Sequence, residues 1–341
     1  MKAYAIDRYR GPLSPRTFPD PVPGQGDVIV AIAATSVNPL DCRFREGAFK
    51  VVLPYRMPLI LGNDLAGTVA AVGPGVRRFK IGDEVFARPD KGRIGTFAER
   101  IAVAEADLAL KPTNLSMAEA ASLPLVALTA WQVLVERASV KRGQKVLIHA
   151  GSGGVGTVAI QLARHLGATV ATTVGTDNVK LAESLGADVV IDYCKGNFVE
   201  QLSDYDVVLN TLGPDVLEES LAVLKPGGKL ISISGPPDPA FGVEIGANCV
   251  VRQVLRLASA KIRRKAKRRD VDYSFLFMRA DGRQLAEIAR LVDAGTIRPI
   301  IDSVFGFDAV SEAMDRVASV HARGKVVVQI VADASSPASG G

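Results

Sequence analysis

A chain of 341 residues with 48% hydrophobic and 23% charged side chains is long enough for two buried cores and close to ordinary globular composition. It has no run of about 20 apolar residues to span a bilayer, and the opening MKAYAIDRYRGPL lacks the apolar segment of a secretory signal. A cytoplasmic protein without a membrane span is therefore expected. Three cysteines (Cys42, Cys194, Cys249) form no CxxC pair, which argues against a zinc ribbon or a disulfide framework.

The net charge of +5 has one source. Residues 261–269, KIRRKAKRR, carry Lys261, Arg263, Arg264, Lys265, Lys267, Arg268 and Arg269, and without these seven the balance is −2. The basic pI thus belongs to one segment and not to a surface shaped for nucleic acid. The run is read as a solvated helical face or loop, with RNA or acidic lipid as alternative partners.

In chain order, the first third reads as short strands separated by turns: VIVAIAATSV (28–37), then LILGNDLAGTVAAVG (59–73), then IGDEVFA (81–87). Ser116 with Glu119 forms a capping box that opens a helix, and Pro124 interrupts the run. From about 125 to 280 strands and helices alternate: KVLIHA (145–150), ATVATTV (168–174), ADVVID (187–192), DVVLNTL (206–212) and KLISIS (229–234). That alternation predicts an α/β fold with a doubly wound parallel sheet. Asp281 and Gln284 open a further helix with a stripe of Leu285, Ile288, Ala289 and Val292. KVVVQIV (325–331) is a strand expected to return to the first domain, and ADASSPASGG beyond it reads as disordered. The resulting division is 1–124 with 281–341, and 125–280.

The most informative stretch is Gly151-Ser152-Gly153-Gly154-Val155-Gly156. It places G-x-G-x-x-G directly after a strand and at the start of a helix with Val155, Val158, Ala159, Leu162 and Leu166 on one face. Missing Cβ atoms let backbone approach a pyrophosphate, and the helix N-terminus presents N–H groups and a positive dipole end. NAD-preferring loops of this kind carry an acid at the end of the second strand, where this chain has Thr172-Thr173-Val174-Gly175-Thr176. NADPH is therefore expected over NADH, with Thr176, Asn178, Lys180 and Tyr193 as donors to the 2′-phosphate. Asp177 stands against this, placed to reach a ribose or repel a phosphate.

Gly143-Gln144, Leu147, the glycine loop, Gln161 and Arg164 together resemble the signature of the quinone oxidoreductase family, the zinc-free branch of the medium-chain dehydrogenases. SVNPLD (36–41), ILGNDLAG (60–67), VGPGV (72–76), GDEVFA (82–87), LPLVALTAW (123–131) and GKVVV (324–328) are similar in order and spacing, closest to the enone oxidoreductases. The resemblance implies a GroES-like β-barrel catalytic domain, a Rossmann domain and a cleft between them. It puts Asn38 where zinc-dependent relatives have a cysteine and Asn63 where they have a histidine, and no cysteine lies between Asp83 and Ala98. Neutral amides replace thiolate and imidazole poorly, so no zinc is expected.

The implied activity is NADPH-dependent hydride transfer to a small electrophile, a quinone or an α,β-unsaturated carbonyl. By resemblance Thr129 contacts the carboxamide, and Leu212, Ser234 and Phe275 border the nicotinamide ring and its ribose. Asn38 and Asn63 stand either as hydrogen-bond donors to a substrate carbonyl or as turn residues satisfying backbone. Phe44 and Phe49 replace tyrosines found in some bacterial quinone reductases, which makes that side of the pocket apolar. Tyr55 is then the available hydroxyl, with a plain loop tyrosine as the alternative. His149, His165 and His321 lack ligand partners at suitable spacing and read as structural or solvated. Family pairing through the last Rossmann strand, here SFLFM (274–278), implies a homodimer. Competing readings are a zinc-free alcohol or enoyl-thioester reductase, a cofactor-binding protein acting on RNA or a partner through 261–269, and a scaffold.

Overall fold

The structure is a computed structural model describing residues 1–50, 53–319 and 322–331; the tail 332–341 and His321 lie outside them. The chain divides into two compact units, Met1–Leu125 with Ala280–Asp293 and Ile301–Gly341, and Val126–Arg279 with Ala294–Ile300. Eight strands come first: β1 (Lys2–Ile6), β2 (Ser14–Thr17), β3 (Asp27–Val37), β4 (Leu59–Ile60), β5 (Asp64–Val72), β6 (Glu84–Ala87), β7 (Arg100–Ala104) and β8 (Leu108–Leu110). The second unit supplies β9 (Lys145–Ile148), β10 (Thr169–Val174), β11 (Val189–Asp192), β12 (Tyr205–Asn210), β13 (Leu224–Ser232) and β14 (Asp272–Phe275). The chain then returns to the first unit with β15 (Ile301–Gly306) and β16 (Lys325–Gln329).

In the first unit, β15, β16, β3, β5, β6 and β8 are neighbours in that order, with β7 also paired to β3. Val28, Val30 and Ile32 of β3 pack with Leu65 and Val69 of β5 and Val85 of β6 in one buried cluster. A Cβ at Gly67 would lie 2.1 Å from the Ala31 carbonyl oxygen, so β5 can cross β3 this closely only with glycine there. Register shifts at Ile29/Val30 and Ile32/Ala34 bend the pair, as bulges do. The last strand, β16, pairs antiparallel with β3 and so ties the chain's end to its beginning.

All strand pairs of the second unit are parallel, in the order β11-β10-β9-β12-β13-β14. The order reverses between β9 and β12, and this switch point opens a crevice at the carboxyl ends of those strands, where such sheets bind ligands. The helix Gly154–His165 follows β9, is buried from Gly156 to Ala163, and gives way to a left-handed turn at Gly167 (φ 81°).

The expected helix starts are present. Ser116 and Glu119 bond reciprocally, and Asp281 accepts from the Arg283 and Gln284 backbone N–H groups. One boundary differs from the expectation. Ala294–Ile300 goes with the second unit, where the Gln161 amide donates to the Thr157 carbonyl (2.9 Å) and the Arg298 carbonyl (3.0 Å) and accepts from the Arg298 N–H (3.0 Å). Replacing Gln161 by Leu removes the partner of the part-buried Arg298 N–H and carbonyl and is expected to lower stability by about 1–2 kcal/mol, read by urea denaturation.

Candidate functional site

The glycine loop follows β9 through Ala150, held at φ 52°. Its three signature glycines do different work. A Cβ on Gly151 would meet Thr172 Oγ1 at 2.1 Å, and one on Gly156 would meet the Ala150 carbonyl oxygen at 2.2 Å, so both are fixed by packing. At Gly153 the nearest atom would be 3.4 Å away, which leaves the backbone bare on its outer side. Gly153 is also the N-cap of the helix, with no side-chain cap and no acid in the first turn. The first-turn N–H groups are thereby left for an external anion, which is what a dinucleotide's pyrophosphate requires.

Hydrogen bonds lock the neighbouring strand ends to this loop. Thr211 Oγ1 donates to the His149 carbonyl (2.9 Å), and Ser234 Oγ donates to the Thr211 carbonyl (3.0 Å). Leu212 between them is 46% exposed, an apolar side chain facing solvent at the switch point. His149 is buried between Thr173 and Ser220 hydroxyls and against the Phe198 ring, and burial pushes its pKa down to about 4, so it stays neutral. Thr129 and Phe275 are buried, the latter ring edge-to-face with Phe241 at 5.1 Å.

At the ends of β10 and β11 the structure adds a residue that sequence reasoning passed over. Asp192 accepts from Thr176 Oγ1 (2.7 Å) and the Cys194 N–H (3.0 Å), and pairs with Lys195 (3.2 Å). These partners, the Thr176 hydroxyl foremost, hold its carboxyl below the usual range. The Thr176 proton is thus already directed at a carboxylate. Tyr193, 66% exposed, places its hydroxyl over Gly175, and Lys180 is exposed, whereas Asn178 has a buried side-chain oxygen without a hydrogen-bond partner.

In the first unit Asn38 and Asn63 join one buried polar network. Lys325, brought in by β16, donates to the Val37 carbonyl (3.1 Å), to Asn38 Oδ1 and to Asp64 Oδ2 (3.3 Å). Asp64 also accepts from Ser36 Oγ (2.8 Å), Asn38 Nδ2 (2.8 Å) and the Leu125 N–H (2.7 Å). Asn63 Nδ2 donates to Asp41 (2.7 Å), whose other oxygen accepts the Asn38 N–H (2.7 Å). Asn63 Oδ1 is buried with no donor reaching it. Asn38 therefore has its carbonyl oxygen and one N–H engaged internally, leaving the second N–H for any other partner.

Phe44, Phe49 and Tyr55 form one aromatic cluster, with Phe44 edge-to-face on each of the other two at 5.3 Å. The Tyr55 hydroxyl donates to the Lys91 carbonyl (2.7 Å), and burial raises its pKa well above the ordinary phenol value. Near it in charge lies Arg88, fully buried, with all three guanidinium nitrogens lacking an acceptor. Lys325, Asp64, Asp41 and Arg88 were not singled out from sequence. A lone Lys in an apolar strand, KVVVQ, was the one visible signal. Among the described residues, no three His, Cys, Asp or Glu side chains converge as a metal would need.

Residues 24–113 match the alcohol dehydrogenase GroES-like domain, and residues 185–328 match the zinc-binding dehydrogenase domain. The chain is 34% identical over 331 residues to a mitochondrial NAD(P)H oxidoreductase of Danio rerio, covering 90% of this chain and 84% of that one. It is 34% identical over 314 residues to a chloroplastic NADPH-dependent alkenal/one oxidoreductase of Arabidopsis thaliana, covering 89% and 72%. The quinone oxidoreductase of Coxiella burnetii superposes with a TM-score of 0.84 at 29% identity, over 97% of this chain and 99% of that one. A GroES-like unit joined to a Rossmann unit defines an NAD(P)H-dependent oxidoreductase. The chain belongs to the medium-chain dehydrogenase/reductase family, in its quinone oxidoreductase branch.

The loop geometry separates two glycine substitutions. Gly156→Ala is expected to destabilise the fold by roughly 1–3 kcal/mol through overpacking. Gly153→Ala is expected to leave thermal unfolding unchanged and to weaken NADPH binding roughly tenfold or more, by fluorescence titration, because its methyl stands where the pyrophosphate approaches.

Burial pushes the Asp41 carboxyl up to about 6 against the pull of its Asn63 and Asn38 hydrogen bonds. The folded chain thus holds this proton more tightly than the unfolded one. The stabilisation is fully present below about pH 4 and is lost as pH rises through about 6, on the order of 3 kcal/mol. Asp41→Asn, accommodated by turning over the Asn63 amide, is expected to flatten that fall in urea denaturation between those pH values; an unchanged slope would assign the proton elsewhere.

Proposed function

We propose that this chain is an NADPH-dependent reductase of quinones or α,β-unsaturated carbonyls that works without zinc. The observation that carries the reading is the Lys325 ammonium, whose contacts on Val37, Asn38 and Asp64 use all three of its N–H donors. A cation already compensates Asp64 and holds the oxygen of Asn38, one of the two amides that stand where the family resemblance sets zinc ligands. That cation is saturated, so it cannot polarise a substrate oxygen as a Lewis acid would. An acceptor that is already electron-poor needs no such help.

When bound, NADPH supplies the hydride. First-turn N–H groups of Gly154–His165 would hold its pyrophosphate, and the Thr211 and Ser234 hydroxyl bonds fix the adjoining strand ends that would orient it. Leu212 offers an apolar wall that displaces water from the ring. Asn38, positioned by Lys325 and Asp64, keeps one N–H to orient a substrate carbonyl. We assign the proton that completes C=C reduction to solvent, because the Tyr55 proton is held by the Lys91 carbonyl and made less acidic by burial. For the 2′-phosphate, Asn178 Nδ2, Lys180 and Tyr193 are the donors left once Thr176 is directed at Asp192. The open edge of β14 supports a homodimer paired through that strand, although Asp238 already takes the Phe275 N–H there (3.1 Å).

Steady-state oxidation of the reduced nucleotide with 1,4-benzoquinones and simple enones tests the reading. NADPH is expected to outperform NADH at least roughly tenfold in kcat/KM, and Lys180→Ala with Tyr193→Phe to erase most of that preference. Chelators should leave the rate unchanged. Absence of turnover with both acceptor classes, or stoichiometric zinc in active protein, would reject it.

A further inference from the structure

Between Glu244 and Asp270 lie 25 residues with nine bases and no acid. The structure folds them into two helices, Cys249–Ala258 and Ala260–Arg268, joined at Ser259. The second is anchored through Ile262 and Ala266, which enter the buried cluster of Leu217, Leu221 and Tyr273. The first is not anchored in the same way. None of its residues is buried, and its start is capped by Asn248, which accepts the Val251 N–H (3.0 Å).

Val250, Val254 and Leu257 are 68%, 58% and 66% exposed. Their i, i+4, i+7 spacing puts them on one face of the first helix. Arg252 and Arg256, spaced i, i+4, occupy another, also exposed. On the second helix Lys261 and Lys265 pair with Glu218, whereas among the described residues Arg263, Lys267 and Arg268 are exposed and pair with no carboxylate. A solvent-facing aliphatic stripe therefore adjoins a field of uncompensated cations.

We propose that this helix pair is a docking surface for an anionic lipid bilayer, the stripe entering the boundary between headgroups and acyl chains and the cations meeting lipid phosphates. Apolar insertion together with a polybasic patch is the pair of signals that makes interfacial attachment stable. No helix among the described residues is long and apolar enough to cross a membrane, so the attachment lies on the surface. Two other occupants fit less well. RNA would use the cations, but residues 245–269 hold no aromatic side chain on which a base could stack, and three exposed aliphatic chains gain nothing from it. A second copy docking face to face would bring two fields of like charge together.

Flotation of the full chain with vesicles of phosphatidylcholine, alone or mixed with phosphatidylserine, tests this. Binding is expected only to the anionic vesicles and to weaken with salt. Arg263→Gln with Lys267→Gln and Arg268→Gln should lower it roughly a hundredfold. Val254→Ser with Leu257→Ser, at unchanged charge, should lower it roughly tenfold or more. Thermal unfolding of both variants should match the parent, since every substituted side chain is exposed. Failure to bind anionic vesicles overturns the proposal. So does a serine variant that binds like the parent while RNA retention depends on charge alone, which would assign the surface to RNA. A serine variant that converts a dimer to monomer in sedimentation equilibrium would assign it to a second copy.

Discussion

Lys325 and Asp64 form a buried ion pair on which the first unit's architecture and chemistry both depend. Their side chains are 6% and 0% exposed, so neither charge has water to fall back on. Such a pair is weak evidence of net stability, because desolvation offsets most of the attraction. What it supplies is position. Lys325 rides on β16, which pairs with β3, and its ammonium reaches the carbonyl of Val37 where β3 ends. The same contact sets the Asn38 amide and the Asp64 carboxylate. A chain end some 260 residues away in sequence thereby fixes the polar centre of the first sheet.

The second unit reaches precision by other means. Its loop is shaped by what cannot be there: two glycines are held by clashes a methyl would make, and the third is left bare. Around it the polar contacts run between side chains and backbone carbonyls, from Thr211 to His149 and from Ser234 to Thr211. These bonds consume no charge, so the helix N-terminus remains the dominant positive end in the crevice. Asp192 is the exception, a carboxylate brought alongside Thr176 by the neighbouring strand.

This contrast explains what could be read in the sequence. The glycine loop was legible because its contacts are local: strand, turn and helix are contiguous, and the spacing itself carries the geometry. Five of the six parallel strands were legible for the same reason, as were the helix starts at Ser116 and Asp281, whereas β14 (Asp272–Phe275) shares only Ser274 and Phe275 with the expected 274–278. Strands β2 and β15 were not legible, since neither SPRT nor IDSVFG holds a buried residue or shows an apolar run. The Lys325 network was invisible because its members come from β3, β5, β16 and the segment after β3, and no spacing rule links them. Asn38 and Asn63 were noticed only for standing where zinc ligands stand in relatives. Their partners, which decide what those amides can do, appear only when the sheet is assembled.

An ammonium beside Asp64 and a zinc ion would each offset a carboxylate's charge, but they differ in what remains open. A catalytic zinc keeps a coordination site for substrate. A lysine has three donors, and here carbonyl, amide and carboxylate oxygens take all of them. On the zinc-free reading proposed above, a lysine that balances the carboxylate offers no open Lewis-acid site, which favours acceptors that bring their own electrophilicity.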